Sequence, residues 1–394
     1  MRRLLAPAVA LVALLLVVAG CGAGGGSGGS GAGGPLTIAF PVPLTSGNKA
    51  AADQMVNTAQ LAVKTINASG GAGGRQLVLK VYDDKLTADE SAKIAQRAIT
   101  QEGAEVIMGG FTSIEGLAIR EVVERRKLVY IATSTVSPQL TTGATYTFRS
   151  AHDQGDYPVQ MADLYAQLGF KKPVVVHDDG PTGSTLFGPI NDALTAKGLT
   201  PVAPVAFSLN STDVSSAVDA VKQEQPDSIV HIGSSGADAG LVLKTLSERG
   251  VRLPVLGFGS LISAEALKIG GSAYSEAPVY TLANMQPSKP QFKDFVAKYA
   301  AEYGGDPAQL STTLVEQTVQ TWDGFDLLRK ALDATGGKAD GETLAPALKA
   351  VVPYEGVGGK AGSTIGFTTS QNAYHQALVA FKLQGTKPVE AAAP

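Results

Sequence analysis

The side chains in this sequence with the chemistry to catalyse a reaction are few, and their spacing keeps them apart. The four histidines, His152, His177, His231 and His375, form no H-E-x-x-H pattern and no cluster with metal-ligand spacing. His177 and His231 fall in or at the end of apolar, strand-like runs, where a hydrogen-bonded structural imidazole is expected. Asp83-Asp84 offers a carboxylate dyad for acid–base work, yet it follows a strand-like run, where a surface turn is expected. Two glycine patterns occur near the N-terminus, G-x-G-x-x-G at Gly24 to Gly29 and G-x-S-x-G at Gly25 to Gly29. Cradling a phosphate or exposing a nucleophile needs a strand before the motif and a helix after it, and a Gly/Ser tract supplies neither. The pattern G-x-x-x-x-G-K-[ST] does not occur, so ATP hydrolysis is not expected. No nucleophile–base pair is recognisable. These residues predict a protein that is not an enzyme and carries no metal or cofactor.

Cys21 is the only cysteine in 394 residues, which excludes a disulfide within the chain and a four-cysteine metal site. Its surroundings give it a different chemistry. Met1-Arg2-Arg3 is a short positive region, and Leu4 to Ala19 is an apolar run interrupted by Pro7. That run is shorter than the roughly 20 residues a helix needs to cross a bilayer, and it fits the core of a secretory signal peptide. Val18-Ala19-Gly20-Cys21 resembles the lipobox of bacterial lipoproteins, in which the signal is cut before the cysteine and the cysteine is acylated. An ordinary signal peptide with an incidental cysteine, or a membrane anchor, is the alternative. Gly22 to Gly34 contains only Gly, Ser and Ala, a composition that behaves as a flexible coil. The expected segments are a signal peptide at 1–20 and a lipidated Cys21 with its tether at 21–35.

The rest of the chain must hold whatever function the protein has. It is 44% hydrophobic and 17% charged, enough to bury a sizeable core, and its length suits two domains. Lys plus Arg number 32 against 35 Asp plus Glu, a net charge of −3. Removing 1–20 takes Arg2 and Arg3 away, leaving 30 against 35, or −5. No global positive field exists for gripping a phosphate backbone, so nucleic acid is not an expected partner.

From Leu36 the pattern alternates between strand and helix. Strands are expected at Leu36 to Val42, Gln76 to Tyr82, Glu105 to Met108 and Leu128 to Ala132. Helices are expected at Ala50 to Ala68, from a capping box at Thr87-Ala88-Asp89-Glu90 to Gln101, and at Ile114 to Arg126. The pattern then restarts. Helices at Asp156 to Leu168, Thr185 to Lys197, Asp213 to Gln223 and Gly240 to Gly250 alternate with strands at Pro173 to His177, Pro201 to Phe207, Asp227 to Ile232 and Pro254 to Phe258. Two such arrays predict two α/β lobes, each a parallel sheet covered on both faces. After Thr281 the chain reads as helical, at Gln291 to Tyr303 and Leu310 to Ala334, and must pack on what precedes it.

Particular residues give this pattern a family. Ala59-Gln60-Leu61-Ala62-Val63-Lys64-Thr65-Ile66-Asn67-Ala68-Ser69-Gly70-Gly71 is followed by Gly73-Gly74-Arg75 and Tyr82-Asp83-Asp84. Gly109-Gly110, Ser137-Pro138-Gln139-Leu140 and His177-Asp178 continue in step. The whole resembles the leucine and branched-chain amino-acid binding proteins, type I periplasmic solute-binding proteins serving ABC importers. The resemblance implies two doubly wound, Rossmann-like lobes joined by three crossovers, near Arg149-Ser150, Val279-Tyr280 and Gly362 to Gly366. Lobe one would be 36–149 plus 281–362, lobe two 150–280 plus 363–386, and 387–394 a C-terminal tail. The ligand would lie in the cleft between lobes, where carboxyl ends of strands face each other.

The loops at those strand ends are Phe111-Thr112-Ser113 and Thr133-Ser134-Thr135-Val136 in lobe one. The resemblance implies that Ser113 and the hydroxyls or amides of the second loop hold a ligand carboxylate, although Ser and Thr also cap helices and form turns. The family's second-loop threonine falls on Val136. In lobe two Thr182 and Ser235 stand where tyrosines are expected, and Gly259 where an acid normally meets the α-ammonium. Asp179 is the remaining candidate for that role, and Ser234 and Ser260 complete the expected site. A pocket without the acid has little reason to prefer a zwitterion. The sequence thus predicts an extracytoplasmic, lipid-anchored, monomeric receptor. It would deliver a small polar solute (amino-acid-like, carboxylate or amide) to ABC permease subunits. A ligand-sensing regulator with the same fold is the alternative.

Overall fold

The computed structural model describes residues 33–46, 48–233 and 235–391. Cys21, the signal segment and most of the tether lie outside the described residues, as does Ser234. Sheet one contains β1 (Leu36–Val42), β2 (Leu77–Asp83), β3 (Ala104–Gly109), β4 (Val129–Ala132) and β5 (Thr147–Arg149), in the order β2-β1-β3-β4-β5. Every pairing in it is parallel. The connecting helices are α1 (Lys49–Ala68), α2 (Ala88–Gln101) and α3 (Ser113–Arg126). In α1, Ala52, Met55, Ala59, Ala62, Val63 and Ile66 recur at helical spacing and are buried against the sheet. Thr87 accepts the Glu90 amide, so α2 starts where its capping box placed it.

Sheet two repeats the same winding. It begins with α4 (Tyr157–Gln167) and β6 (Pro173–Asp178), followed by α5 (Pro181–Ala196) and β7 (Val205–Phe207). α6 (Ser215–Glu224), β8 (Ser228–Ile232), α7 (Gly236–Glu248), β9 (Val255–Gly257), α8 (Ala264–Gly270) and β10 (Val279–Ala283) complete the parallel part. The order β7-β6-β8-β9-β10 matches β2-β1-β3-β4-β5. Each sheet therefore changes winding direction beside its first strand, between β1 and β3 and between β6 and β8. Those two crevices are where open α/β sheets bind ligands.

The last third of the chain departs most from expectation. α9 (Pro290–Tyr303) is present, but Leu310 to Ala334 is not one helix. It divides into α10 (Pro307–Thr313) and α11 (Glu316–Thr335), with Leu314 and Val315 extended. The Gln54 side chain accepts the Val315 amide at 2.9 Å, and Leu314 is buried in an apolar cluster, so tertiary contacts hold the break open. α12 (Gly341–Ala350) follows, and α1, α11 and α12 cover one face of sheet one. Two further strands, β11 (Val379–Gln384) and β12 (Lys387–Glu390), add antiparallel to β10. Residues 387–390, expected as part of a tail, are thus an edge strand. Val279-Tyr280 lies inside β10, and Ile365 and Phe367 pack in the sheet-one core, so both later passages between the sheets fall further along the chain than expected. An apolar cluster of Leu61, Ala283, Phe295, Val319 and Phe381 joins α1, α9 and α11 to strands β10 and β11 of sheet two.

Candidate functional site

β3 ends in Gly109 and Gly110, at φ of 108° and 76°. Glycine is required there: a Cβ on Gly110 would lie 2.5 Å from the Tyr130 hydroxyl, and one on Gly109 would lie 2.8 Å from the Pro41 carbonyl. This sharp exit delivers Thr112 as the N-cap of α3, with Glu115 accepting the Thr112 amide at 3.0 Å and also its hydroxyl. Phe111, Thr112 and Ser113 are half-buried, whereas Thr133, Ser134 and Thr135 are buried. The two loops are stitched together. Ser134 donates to the Phe111 carbonyl at 2.7 Å, and Thr135 to the Thr112 carbonyl at 3.2 Å. Ser113 Oγ instead accepts the Ser137 amide at 3.3 Å.

These bonds separate the candidates. The hydroxyl protons of Ser134 and Thr135 are committed to loop carbonyls, so those side chains shape the site. Ser113 receives a bond and keeps its own proton to donate. It also opens α3, whose first amides point outward and favour a negative group. Thr133 Oγ1 is buried without a hydrogen-bond partner among the described residues. Behind the loop, burial and the neighbouring Glu115 carboxylate push Asp84 up to about 6. Asp84 is fully buried and accepts the Leu86 amide, and Asp83 accepts the Leu44 amide at 2.9 Å. The pair therefore builds the loops after β1 and β2, although the sequence places it in a surface turn.

In sheet two, Asp178 is buried and accepts the Gly180 and Gly183 amides at 3.0 and 3.2 Å, holding the start of α5. Asp179 is exposed and accepts the Leu209 amide at 2.9 Å. Ser235 caps α7 by accepting the Asp238 amide, and Ser260 donates to the Gly233 carbonyl at 2.6 Å. Thr182 lies half-buried in the first turn of α5. Gly259 differs from all of these: a Cβ there would have no described atom within 4 Å, and its φ is not in the left-handed region. Its backbone does not require glycine, and the space in front of it is open.

A third group, which no sequence spacing signals, is assembled from distant parts of the chain. His152 follows β5, Tyr157 opens α4, Phe258 follows β9, and Glu316 and Gln320 lie on α11. The Tyr157 and Phe258 rings are 4.3 Å apart, and His152 meets Tyr157 edge-on at 5.1 Å. His152 Nδ1 lies 3.2 Å from Gln320 Nε2 and 3.8 Å from the Glu316 carboxylate. Burial pulls the His152 pKa down against the pull of Glu316, so the ring is neutral and Nδ1 accepts from Gln320. Positions 152, 157, 258 and 320 share no local spacing, so only the assembled fold brings them together.

His177 and His231 are buried in sheet two. His177 stacks on Phe187 with centroids 4.5 Å apart. His231 departs from expectation, because neither ring nitrogen has a hydrogen-bond partner among the described residues. Among the described residues there is no group of three or more His, Cys, Asp or Glu able to hold a metal, and no helix long and apolar enough to cross a membrane. A separate groove of about 400 Å³, lined by Lys330, Ala347, Val352 and Tyr354 among others, includes none of the loop residues above.

The two sheets share one winding, and comparison with known proteins gives this fold a family. The family model described as periplasmic binding protein matches residues 35–387. The chain belongs to that family. Leu/Ile/Val-binding protein homolog 3 of Brucella melitensis biotype 1 is 26% identical to this periplasmic binding protein over 322 residues, 81% of this chain and 84% of that one. The leucine binding protein LivK of Thermotoga maritima superposes with a TM-score of 0.77 at 22% identity, covering 91% of this chain and 98% of that one. A solute binding protein of an ABC transporter from Rhodopseudomonas palustris BisB5, in complex with 3,4-dihydroxy benzoic acid, superposes with a TM-score of 0.73 at 22% identity, covering 90% and 95%. The two-lobed periplasmic binding protein type I fold is therefore established for this chain.

Proposed function

We propose that this periplasmic binding protein is the solute-binding subunit of an ABC importer, and that its solute carries a carboxylate or amide without an α-ammonium. One contrast carries the reading: Ser113 keeps a hydroxyl proton to donate at the start of α3, while Gly259 leaves open space where an acid would meet an ammonium. The head group docks on the lobe-one loops. Thr182, Gly259 and the loop before α7 close over the rest of the molecule from lobe two. Similar structures hold leucine in one case and isoleucine in another, and others hold 3,4-dihydroxy benzoic acid or benzoate, so this fold accommodates solutes with and without an ammonium. Cys21 would carry the lipid that keeps the receptor at the outer face of the membrane, beside its permease.

A thermal-shift series tests the ligand class, because a solute that binds only the folded state raises the melting temperature. Leucine and 4-methylpentanoate form the informative pair, since they differ only by the ammonium. The proposal expects 4-methylpentanoate, benzoate or a related acid to raise the melting temperature at least as far as leucine does. A shift with leucine and none with any ammonium-free acid or amide would overturn it.

A further inference from the structure

The loop after β4 is bolted to the connection between the sheets through one buried side chain. Arg149 ends β5, enters the first crossover and is fully buried. Its Nη1 donates to the Ser137 carbonyl at 2.7 Å, on the loop whose Ser137 amide binds Ser113 Oγ. Nε and Nη2 donate to Asn372 Oδ1 at 3.1 and 2.7 Å, and Nη2 also pairs with Asp153. Asn372 belongs to the last passage between the sheets, before β11, and it donates to Asp153 at 2.8 Å. The backbone repeats the link: the Arg149 amide donates to the Gln371 carbonyl, and the Ala373 amide to the Arg149 carbonyl. Asp156 and Gln160 accept the Gln376 and Leu378 amides at 3.0 Å each, extending the seam into α4.

We infer that Arg149 is a positioning residue that couples the lobe-one ligand loop to the angle between the lobes. The inference rests on the proposed site at Ser113. A guanidinium presents its donors in one rigid plane, so it cannot follow Asn372 and Asp153 without moving the Ser137 carbonyl. The first and last crossovers must bend when the lobes close. Arg149 bridges both, and the same fork sets the loop that Ser113 leans on. The Gln154 amide, which donates to the Val136 carbonyl at 2.9 Å, is a second tie between loop and crossover. Capture of a head group and closure of the cleft are then one linked event, as required when only contacts spanning both lobes favour the closed state.

Two variants of the full chain test this, Asn372→Ala and Arg149→Lys. Among the described residues the Asn372 side chain hydrogen-bonds Arg149, Thr141 and Asp153, and it is half-buried. Arg149→Lys keeps the charge beside Asp153 and loses the fork. The first readout needs no ligand: hydrogen exchange at the amides of 134–137 should accelerate by about tenfold in both variants, with α6 and α7 unchanged. The second is the affinity for 4-methylpentanoate, expected to fall by about tenfold in both variants. Wild-type exchange in Arg149→Lys would reduce Arg149 to a counter-charge for Asp153 and overturn the coupling. If 4-methylpentanoate fails to bind the wild type, the ligand reading falls, and exchange at 134–137 still decides the coupling.

Discussion

The Asp323 carboxylate accepts the Tyr374 hydroxyl inside the protein, where each side chain exposes only 1% of its surface. The same carboxylate accepts the Val357 and Gly358 amides, both at 2.8 Å, and the buried Lys289 ammonium donates to the Gly358 carbonyl at 2.9 Å. α11 thereby pins the segment that follows α12 and leads back toward sheet two. Burial raises the Asp323 pKa to about 6 from its ordinary 3.8, against these hydrogen bonds and Lys289. A raised carboxyl adds stability at acid pH, present in full below the unfolded pKa and lost as pH rises through about 6. The shift corresponds to roughly 3 kcal/mol. In urea unfolding, the stability of wild type relative to Asp323→Asn should therefore fall by about 3 kcal/mol between pH near 3 and pH near 7. A constant difference would mean that Asp323 is ionised throughout.

His231 works in the opposite direction. It sits mid-sheet on β8, stacked 6.1 Å from Phe207, and burial holds its pKa down at about 4. A depressed histidine pKa gives stability that is full above the unfolded value near 6.5 and lost as pH falls through about 4, again roughly 3 kcal/mol. Because the ring makes no hydrogen bond among the described residues, His231→Leu should be neutral or stabilising near pH 7. It should also remove this acid loss, read as a flatter plot of unfolding free energy between pH near 6.5 and pH near 4. A variant as acid-sensitive as wild type would contradict a neutral buried imidazole.

The strength of local signals decided how much the sequence revealed. α1 was legible because its apolar residues recur at helical spacing, and α2 because Thr87 and Glu90 mark its start. The alternation of elements implied two parallel sheets, and residues such as Gly109-Gly110 and Gly73-Gly74-Arg75 implied the family. The order of strands was not legible, since it is fixed by pairings tens of residues apart. Nor was the break at Leu314-Val315, which depends on Gln54. At the site, hydroxyl-bearing loops were visible, but not which hydroxyls are already committed. Ser134 and Ser113 look alike in sequence, and their roles separate only through the Phe111 carbonyl and the Ser137 amide.

Gly259 offers a gain-of-function test. A side chain there meets open space on an ordinary backbone, so Gly259→Glu should fold with wild-type stability to within about 0.5 kcal/mol. It would supply the acid that an ammonium lacks. A charge-assisted bond of about 1.5–3 kcal/mol predicts that leucine gains at least tenfold in affinity over 4-methylpentanoate. Competition binding with the two compounds measures this, and an unchanged ratio would place Gly259 outside the contact surface.

Anchoring can be tested apart from binding. Cys21→Ala should abolish lipidation, so that the chain is released from the membrane fraction or accumulates unprocessed. Stable retention needs more than one acyl chain, which a single lipobox cysteine would carry together with its amine. Processed protein that still fractionates with membranes would contradict the lipoprotein assignment.

A head group held by lobe one without an ammonium partner should be recognised through its carboxylate alone. Calorimetric titration of the wild type and Ser113→Ala with leucine and 4-methylpentanoate tests it most directly. 4-Methylpentanoate should bind the wild type at least as tightly as leucine. Ser113→Ala should weaken binding by roughly 1–3 kcal/mol, through loss of a donor to a buried acceptor. Tight leucine binding that Ser113→Ala leaves unchanged would contradict it.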